Sequence, residues 1–496
     1  MLIFKKMKNK ILILFICTSL FFSCEKSFEE LNFNQNAITT EEIVPADLLI
    51  KGTMLANISI NLSHLQRISG MWSGQYRGEI ANYLNLYNYI ITASESDSAW
   101  QYLYNGILKQ NREIVKYYDS VGLDAEGRLI IAISKIIEAN AVGTATAIWG
   151  NIPYSDINSS EDFFYDPKFD TQSEVYASLQ TLLDEAIAMF QDQRTFNTLS
   201  EDIHFEGDKA KWIEVAYTLK ARYYLQSKQY GLAYQNALKG ISGFTSSMQF
   251  TPPEAPDGSV VFGTENLLYR FRAGGNRGFM TVTNTFCRDL IAIASANPNT
   301  RRNAKTNEVT RRNYYNLDAT SSSTGNLITG FNSSTRIYGE KTAMNLVTFQ
   351  ENLLILAETG ARTVSTAEGL THLNTLRAFH LTDESFNRSG TRVYDAYVLA
   401  DFDAGGMENE DNIAPQRAFL REVIEERYVT GFGTFMPWND LRRLRKSDSD
   451  IMVPVPFNNG NISIYPQRFI ISQNELNSNE NAPTGLTIFD PTEVNQ

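Results

Sequence analysis

The sequence predicts a mainly α-helical protein in which tetratricopeptide-like helical hairpins form a scaffold beside an irregular, loop-rich part. Apolar residues recur with helical spacing through about 98–240 and again through 341–445. One segment, 208–241, has the pattern of a helix, a polar turn and a second helix. Glycine, serine, asparagine, threonine and proline dominate about 243–339, which indicates loops and small strands inserted into the helical body.

The first 23 residues are typical of a signal peptide. Four lysines precede "ILILFICTSLFF" (11–22), an apolar run that is shorter than the roughly 20 residues of a membrane span. The run ends at Ser23 and Cys24, a pattern that resembles the bacterial lipoprotein signal. We expect removal of 1–23, lipidation of Cys24, a tether at 24–40 and a single domain at 41–496. An ordinary secretory signal with an incidental cysteine, or a core helix, is the alternative.

Helical periodicity is clearest in the first repeat region. "SAWQYLYNGILKQNREIVKYY" (98–118) places its large apolar residues on one stripe, and "AEGRLIIAISKIIEANAVGTATAIWG" (125–150) carries small residues that allow a neighbouring helix to approach closely. Thr171 and Glu174 form a capping-box pattern at the start of the next helix.

The segment 208–241 resembles a tetratricopeptide unit. Trp212, Leu219 and Tyr223 are large residues on its first helix, and Tyr230 and Ala233 follow the turn. The period is not repeated cleanly elsewhere, so a generic helical hairpin is the alternative. Helices return after the insert, "ENLLYRFR" within it has a strand-like pattern, and 457–496 is predicted to be extended coil.

Composition excludes some classes of function. The formal net charge of −12 argues against nucleic-acid binding, which needs a basic surface. Three cysteines are too few for a disulfide framework or a zinc site. The acid-rich stretch "DFDAGGMENEDN" (401–412) has oxygen ligands that calcium accepts, but a solvated loop is the favoured interpretation. We expect no cofactor.

No nucleotide-binding, zinc-protease or serine-hydrolase motif occurs in the chain. One stretch, "GMWSGQYRGEIANYLNLYNY" (70–89), concentrates aromatic residues beside polar ones. We take Trp72, Tyr76, Arg77, Tyr83 and Tyr87 as candidate ligand residues, because flat rings fit the C–H face of a sugar and Arg supplies hydrogen bonds to hydroxyls. For each ring taken alone, core or helix packing is the favoured interpretation.

Six stretches in chain order carry a family resemblance: "WQYLYNGILKQNREIV", "AIWGNIPYSDINSSEDFFYDPKFDTQSEVYASLQTLLDEAI", "GDKAKWIEVAYTLKARYYLQ", "LVTFQENLLILAETGAR", "LREVIEERYVTGFGTFMPWNDLRRLRK" and "IYPQRFIISQNELNSNEN". They span about 98–480, and together they resemble the SusD/RagB family of outer-membrane lipoproteins of Bacteroidetes.

The resemblance implies a curved scaffold of tetratricopeptide-type hairpins with an irregular, loop-rich part that presents the ligand-binding surface. It also implies a non-enzymatic, outward-facing lipoprotein of the outer membrane. It implies a glycan ligand and a SusC-like TonB-dependent transporter as partner. By rough position it adds Arg277 and Tyr338 to the candidate site. A peptide ligand on the same architecture, a glycoside hydrolase and a tetratricopeptide adaptor are the alternatives.

Overall fold

The computed structural model describes residues 45–158, 166–261, 263–273, 278–292, 300–315, 317, 336–386 and 390–496. The predicted signal peptide, the tether, Cys24 and Arg277 lie outside the described residues, and so does much of the predicted loop-rich insert. Ala46–Gln496 form one compact unit.

Helices account for most of the described chain. In chain order they are α1 Ala46–Leu62, α2 His64–Trp72, α3 Ala81–Tyr87, α4 Asp97–Gln101, α5 Lys109–Val121, α6 Ala125–Trp149, α7 Ser155–Asn158, α8 Gln172–Gln191, α9 Lys209–Gln226, α10 Tyr230–Ala237, α11 Leu267–Ala273, α12 Phe286–Leu290, α13 Val309–Tyr314, α14 Phe349–Thr363, α15 Thr366–His380, α16 Pro415–Thr430, α17 Met436–Leu444 and α18 Gln473–Ser478. A π-helical stretch, Tyr102–Leu108, joins α4 to α5 without a break. The mainly α-helical prediction is confirmed.

Successive helices of the scaffold pack against one another, with α6 on α8, α9 on α10 and α14 on α15. The helix α6 is long and apolar enough to cross a membrane, but it is mostly buried inside the protein. Its small residues act as the sequence predicted. A Cβ atom on Gly143 would lie 2.2 Å from the Tyr223 ring of α9, and the Tyr223 hydroxyl donates to the Ala139 carbonyl at 2.7 Å.

The predicted capping box at the start of α8 is present. The Thr171 side chain accepts from the Glu174 N–H, and the Glu174 carboxylate accepts from the Thr171 N–H at 2.9 Å. Such reciprocal bonds satisfy backbone N–H groups that have no partner within the helix. Local sequence therefore determines where this helix begins.

Within the described residues, six short strands form three antiparallel pairs: β1 Arg77–Gly78 with β3 Met280–Thr281, β2 Met248–Phe250 with β5 Met344–Val347, and β4 Thr306–Asn307 with β6 Val393–Tyr394. Each pair joins segments that are distant in sequence. The pair β1–β3 links the stretch after α2 to the part of the chain that follows α11.

One prediction about local structure was wrong. The strand-like "ENLLYRFR" contains the helix α11, which begins after Asn266. The Asn266 side chain accepts from the N–H groups of Leu268 at 3.0 Å and Tyr269 at 3.2 Å, so its capping outweighs the strand propensity of the apolar run. The segment 457–496 is coil over most of its length, as predicted, but it contains the short helix α18 and a 3₁₀ stretch at Glu493–Asn495.

The core holds ion-pair clusters as well as apolar side chains. Arg443 makes two bonds to the Glu358 carboxylate, at 2.7 and 2.9 Å, and both side chains are almost fully buried. Burial alone would raise the pKa of Glu358, but the charges of Arg443 and Arg362 hold that pKa at about 2. Arg301 forms a second cluster with Glu422 at 2.7 Å and Glu426 at 2.6 Å.

Candidate functional site

Trp72, the largest of the predicted ligand residues, lies in the core. Its ring is fully buried, stacks on Phe469 with centroids 4.6 Å apart and approaches Trp438 at 5.7 Å. The indole N–H donates to the Leu86 carbonyl at 2.9 Å. The prediction needs correction here, because a ring enclosed on both sides offers no face to a sugar.

Tyr76 and Tyr338 are also buried, at 0% and 4% exposure. Both rings contact Phe432 edge-on, with centroids 5.3 and 6.3 Å away. Tyr76 packs against the backbone at Gly70, where a Cβ atom would lie 2.5 Å from the ring. Burial raises the pKa of both phenols. In this arrangement the two tyrosines support Phe432 and do not contact solvent.

The other three described candidates come together near the surface, where Arg77 and Tyr87 are partly exposed and Tyr83 is buried. Arg77 is on β1, and Tyr83 and Tyr87 are on α3, which follows directly. The Arg77 guanidinium carbon lies 5.9 Å from the centre of the Tyr87 ring, within the range of a cation–π contact. The turn between them is tight, because a Cβ atom on Gly78 would lie 1.9 Å from the Tyr83 carbonyl oxygen. Glycine at this position therefore brings β1 against α3.

Three further residues, not singled out from the sequence, complete this surface. Arg67 of α2 donates to the Tyr83 hydroxyl at 3.3 Å, and its guanidinium carbon lies 4.5 Å from the centre of the Phe271 ring. The Tyr83 ring is 5.2 Å from Phe271 and 6.1 Å from Phe279. We call Arg67, Arg77, Tyr83, Tyr87, Phe271 and Phe279 the aromatic patch. Except for Tyr83, which is buried at 8% exposure, its members are partly exposed.

A polar network lies along one edge of the aromatic patch. His64 Nε2 lies 2.5 Å from Glu95 Oε2, and Asn82 donates to the other Glu95 oxygen at 2.7 Å. The hydrogen bond from His64 lowers the pKa of Glu95, despite the opposing effect of partial burial. The His64 ring also meets the Tyr83 hydroxyl at 3.4 Å. This network fixes the first turn of α3 and thereby the position of Tyr83.

The aromatic patch has the groups of a binding surface for a neutral polyol. Its rings provide apolar faces, and Arg77 and the exposed Asn82 provide hydrogen-bond donors. Two apolar side chains of the same turn, Ile80 and Leu84, are exposed at 49% and 41%. The carboxylates beside it are engaged, since Glu79 pairs with Arg77 at 3.4 Å and Glu95 with His64.

The acid-rich loop at 401–412 does not gather its carboxylates around one point. Asp401 accepts from Lys305 at 2.7 Å, and Asp411 from Arg421 at 2.7 Å. Glu408 accepts from the Tyr397 hydroxyl at 2.5 Å. Within the part of the chain that the structure describes, no group of three His, Cys, Asp or Glu residues is arranged to hold a metal ion.

Comparison with known proteins identifies relatives of the whole unit. A family model described as SusD-like, starch-binding and associating with the outer membrane matches residues 36–446. No curated protein matches the chain.

Solved structures share the fold at low sequence identity. A SusD/RagB family protein from Bacteroides thetaiotaomicron is 17% identical, with coverage of 91% of this chain and 99% of that one and a TM-score of 0.65. A SusD homolog from Bacteroides uniformis is 15% identical, with 91% and 99% coverage and a TM-score of 0.63. A chitin-binding SusD homolog from Flavobacterium johnsoniae is 17% identical, with 90% and 98% coverage and a TM-score of 0.63.

Proposed function

The chain belongs to the SusD-like family, and from this premise we propose that it binds an oligosaccharide or polysaccharide at the cell surface and hands it to a SusC-like TonB-dependent transporter. No bond in the glycan is broken. Cys24 carries the lipid that holds the protein to the outer membrane, and the binding face points to the cell exterior. The family description, starch-binding and associating with the outer membrane, supports this proposal, as does the chitin-binding relative.

The single observation that carries the proposal is the aromatic patch. The partly exposed rings of Phe271 and Phe279 lie 5.2 and 6.1 Å from the buried Tyr83 ring, which are distances typical of packed aromatic pairs, and Arg67 stacks on Phe271. A sugar ring has apolar C–H faces and a rim of hydroxyl groups, so it needs a flat apolar surface with hydrogen-bonding groups at the edge. The aromatic patch supplies both.

Each residue has a defined part in this binding. Tyr87, Phe271 and Phe279 provide the apolar faces. Arg77 donates to ligand hydroxyls, while Arg67 holds the Tyr83 hydroxyl and stacks on Phe271, so it positions the rings. The affinity of one such patch is modest, because the ligand must replace its own hydration and lose conformational freedom. Several patch contacts along a long glycan raise the apparent affinity.

Affinity electrophoresis of purified residues 25–496 through gels that contain single polysaccharides tests the proposal. We expect retardation by at least one neutral polysaccharide and no release of reducing ends from it. If the protein bound peptides and no polysaccharide gel retarded it, the assignment of a glycan ligand would be contradicted. Release of reducing ends would contradict the absence of catalysis.

Membrane attachment has its own test. In cells that express the full chain, Cys24→Ala should abolish acylation and move the protein from the membrane fraction to the soluble fraction. Cys287→Ala is the matched control, because that thiol is buried in the folded unit. Continued membrane attachment of Cys24→Ala would contradict lipid anchoring at this residue.

A further inference from the structure

The apolar surface of the aromatic patch extends past its rings, along the outer side of α3. Leu84 is three residues before Tyr87 on this helix, and the Leu84 N–H donates to the Ile80 carbonyl at 3.4 Å. Side chains three and four residues apart are neighbours on a helix surface. Ile80 and Leu84 are exposed, and Tyr87 is partly exposed. Ile80 and Leu84, which we call the aliphatic pair, therefore lie next to the Tyr87 ring.

The aliphatic pair does not match an unsubstituted sugar. A sugar ring that stacks on Tyr87 points the hydroxyl groups of its rim toward the surface around that ring. A hydroxyl group pressed against an aliphatic side chain loses water without gaining a hydrogen bond, which is unfavourable. A methyl group at the same place gains from burial. An acyl substituent on the sugar, such as an acetyl group, supplies that methyl group.

Guanidinium groups give the aromatic patch an excess of hydrogen-bond donors. Arg77 pairs with Glu79 through Nε at 3.4 Å. Arg67 donates its Nε N–H to the Tyr83 hydroxyl at 3.3 Å, and among the described residues no carboxylate pairs with Arg67. A guanidinium group has five N–H donors and no acceptor. The carbonyl oxygen of an acyl group accepts hydrogen bonds and donates none, so it complements this excess.

A free carboxylate on the ligand matches this surface less well than an acyl group does. It would lie near the carboxylates of Glu79 and Glu95, and like charges repel. It also has no apolar part to cover the aliphatic pair, which would instead take hydration from the charge. A neutral group with both a carbonyl oxygen and a methyl group meets both requirements.

The aliphatic pair is carried by a helix that is held at both ends. The Asn458 side chain donates to the Met71 carbonyl at 2.9 Å and to the Tyr87 carbonyl at 3.0 Å, which ties the end of α3 to the end of α2. Before the start of α3, a Cβ atom on Gly78 would lie 3.0 Å from Tyr87 Cβ, so β1 and α3 are in close contact. Groups that are already fixed bind a ligand without a further cost of ordering.

We infer that the aromatic patch selects glycans that carry acyl substituents, and that Ile80 and Leu84 determine this specificity. The inference rests on the proposed function and narrows the class of ligand at the same site. The sugar ring stacks on Tyr87, the acyl methyl group packs against the aliphatic pair, and the acyl carbonyl oxygen accepts from Arg77. N-acetyl and O-acetyl groups share this chemistry, and separate probes distinguish them.

Polar replacements of the aliphatic pair test the inference. Leu84→Asn keeps the approximate size of the side chain and removes its apolar surface. Ile80→Thr does the same at the residue before α3, where threonine is a good helix cap. Both positions are exposed, so both variants should fold, which thermal unfolding checks. Leu232→Asn on α10 is the matched control, because Leu232 is as exposed as Leu84, at 41%.

Two pairs of probes differ only in acylation. Triacetylchitotriose and cellotriose share a β-1,4-linked glucose backbone and test N-acetyl groups, by calorimetry with residues 25–496. Acetylated glucomannan and its alkali-deacetylated form test O-acetyl groups, by affinity electrophoresis at graded polysaccharide concentrations. In at least one pair, we expect the wild type to bind the acylated probe at least tenfold more tightly. Leu84→Asn or Ile80→Thr should reduce this ratio to a third or less, and Leu232→Asn should keep it.

Two results would overturn the inference. One is a wild type that shows less than a tenfold preference in both pairs, which includes the absence of binding to any of the four probes. The other is a ratio that stays above a third of the wild-type ratio in both Leu84→Asn and Ile80→Thr. If some polysaccharide gel still retards the wild type, only the acyl specificity has failed. If no polysaccharide gel retards it, the proposed glycan function has failed as well.

Discussion

The helical scaffold and the aromatic patch are built in different ways. In the scaffold, fully buried residues such as Trp212, Tyr223 and Glu358 are held by several partners each. The aromatic patch is assembled from α2, β1, α3, α11 and the residues before β3, and its polar contacts lie at the surface. Substitution in the scaffold should therefore affect stability, and substitution in the aromatic patch should affect binding.

Removal of the buried Glu358 carboxylate should have the largest effect. Glu358→Ala leaves Arg443 buried without its bidentate partner, and loss of one member of a buried pair costs about 3–5 kcal/mol. Urea unfolding should give a free energy of unfolding lower by that amount. Glu185→Ala is the matched control, because its ion pair with Lys135 is exposed and should contribute less than about 1 kcal/mol. Equal losses in the two variants would remove the distinction between core and surface ion pairs.

Trp72→Ala should also cost about 3–5 kcal/mol, because it empties a ring-sized space between Phe469 and Trp438. Thermal unfolding followed by circular dichroism measures the loss. Phe196→Ala, where the ring is 51% exposed, should change stability by no more than about 0.5 kcal/mol. A Trp72→Ala variant of unchanged stability but weakened glycan binding would return Trp72 to the ligand surface.

Titration of Glu408 should make the free energy of unfolding depend on pH. Burial, together with the charge of Glu422, raises the pKa of Glu408 to about 8, against an ordinary value of 4.5. Between these two values the folded protein keeps a proton that the unfolded chain has lost, so stability falls as pH rises from 4.5 to 8. Glu408→Gln should remove this part of the decline.

Urea unfolding of wild type and Glu408→Gln at pH 5, 6.5 and 8 measures the effect. The variant should gain stability relative to the wild type as pH rises, with the largest difference at pH 8. Glu185 is exposed, so Glu185→Gln should be as stable as the wild type at every pH. Parallel curves for Glu408→Gln and the wild type would mean that Glu408 titrates normally.

Arg77→Ala should have the smallest effect on stability. Its side chain is 39% exposed and its ion pair with Glu79 spans 3.4 Å, so we expect a change within about 1 kcal/mol. Thermal unfolding alone measures this change. A larger loss of stability would show that the folding of β1 depends on Arg77. A change of glycan binding in this variant could then result from partial unfolding instead of the loss of a ligand contact.

The sequence predicted the scaffold better than the site, for a physical reason. Helical period, the Thr171 capping box and the small residues of α6 are local signals, and each specifies its structure without knowledge of distant segments. The helices α1 and α2 were not predicted, although α2 supplies Arg67 to the aromatic patch.

Ring composition alone could not separate core from surface in 70–89. Trp72 and Tyr87 occur in the same aromatic stretch, yet Trp72 meets Phe469 in the core and Tyr87 meets Arg77 at the surface. Phe271 joins the aromatic patch only through tertiary packing, and no pattern near Phe271 in the sequence marks it as a neighbour of Tyr83. Prediction of the site therefore required the three-dimensional arrangement.

Glycan affinity of Tyr87→Ala, beside its thermal stability, tests the central claim most directly. With a polysaccharide that retards the wild type, we expect the dissociation constant to rise by about tenfold, equivalent to about 1.4 kcal/mol, because an apolar ring face is lost. Phe196→Ala should bind as the wild type does. Unchanged affinity in a folded Tyr87→Ala variant would contradict the assignment of glycan binding to the aromatic patch.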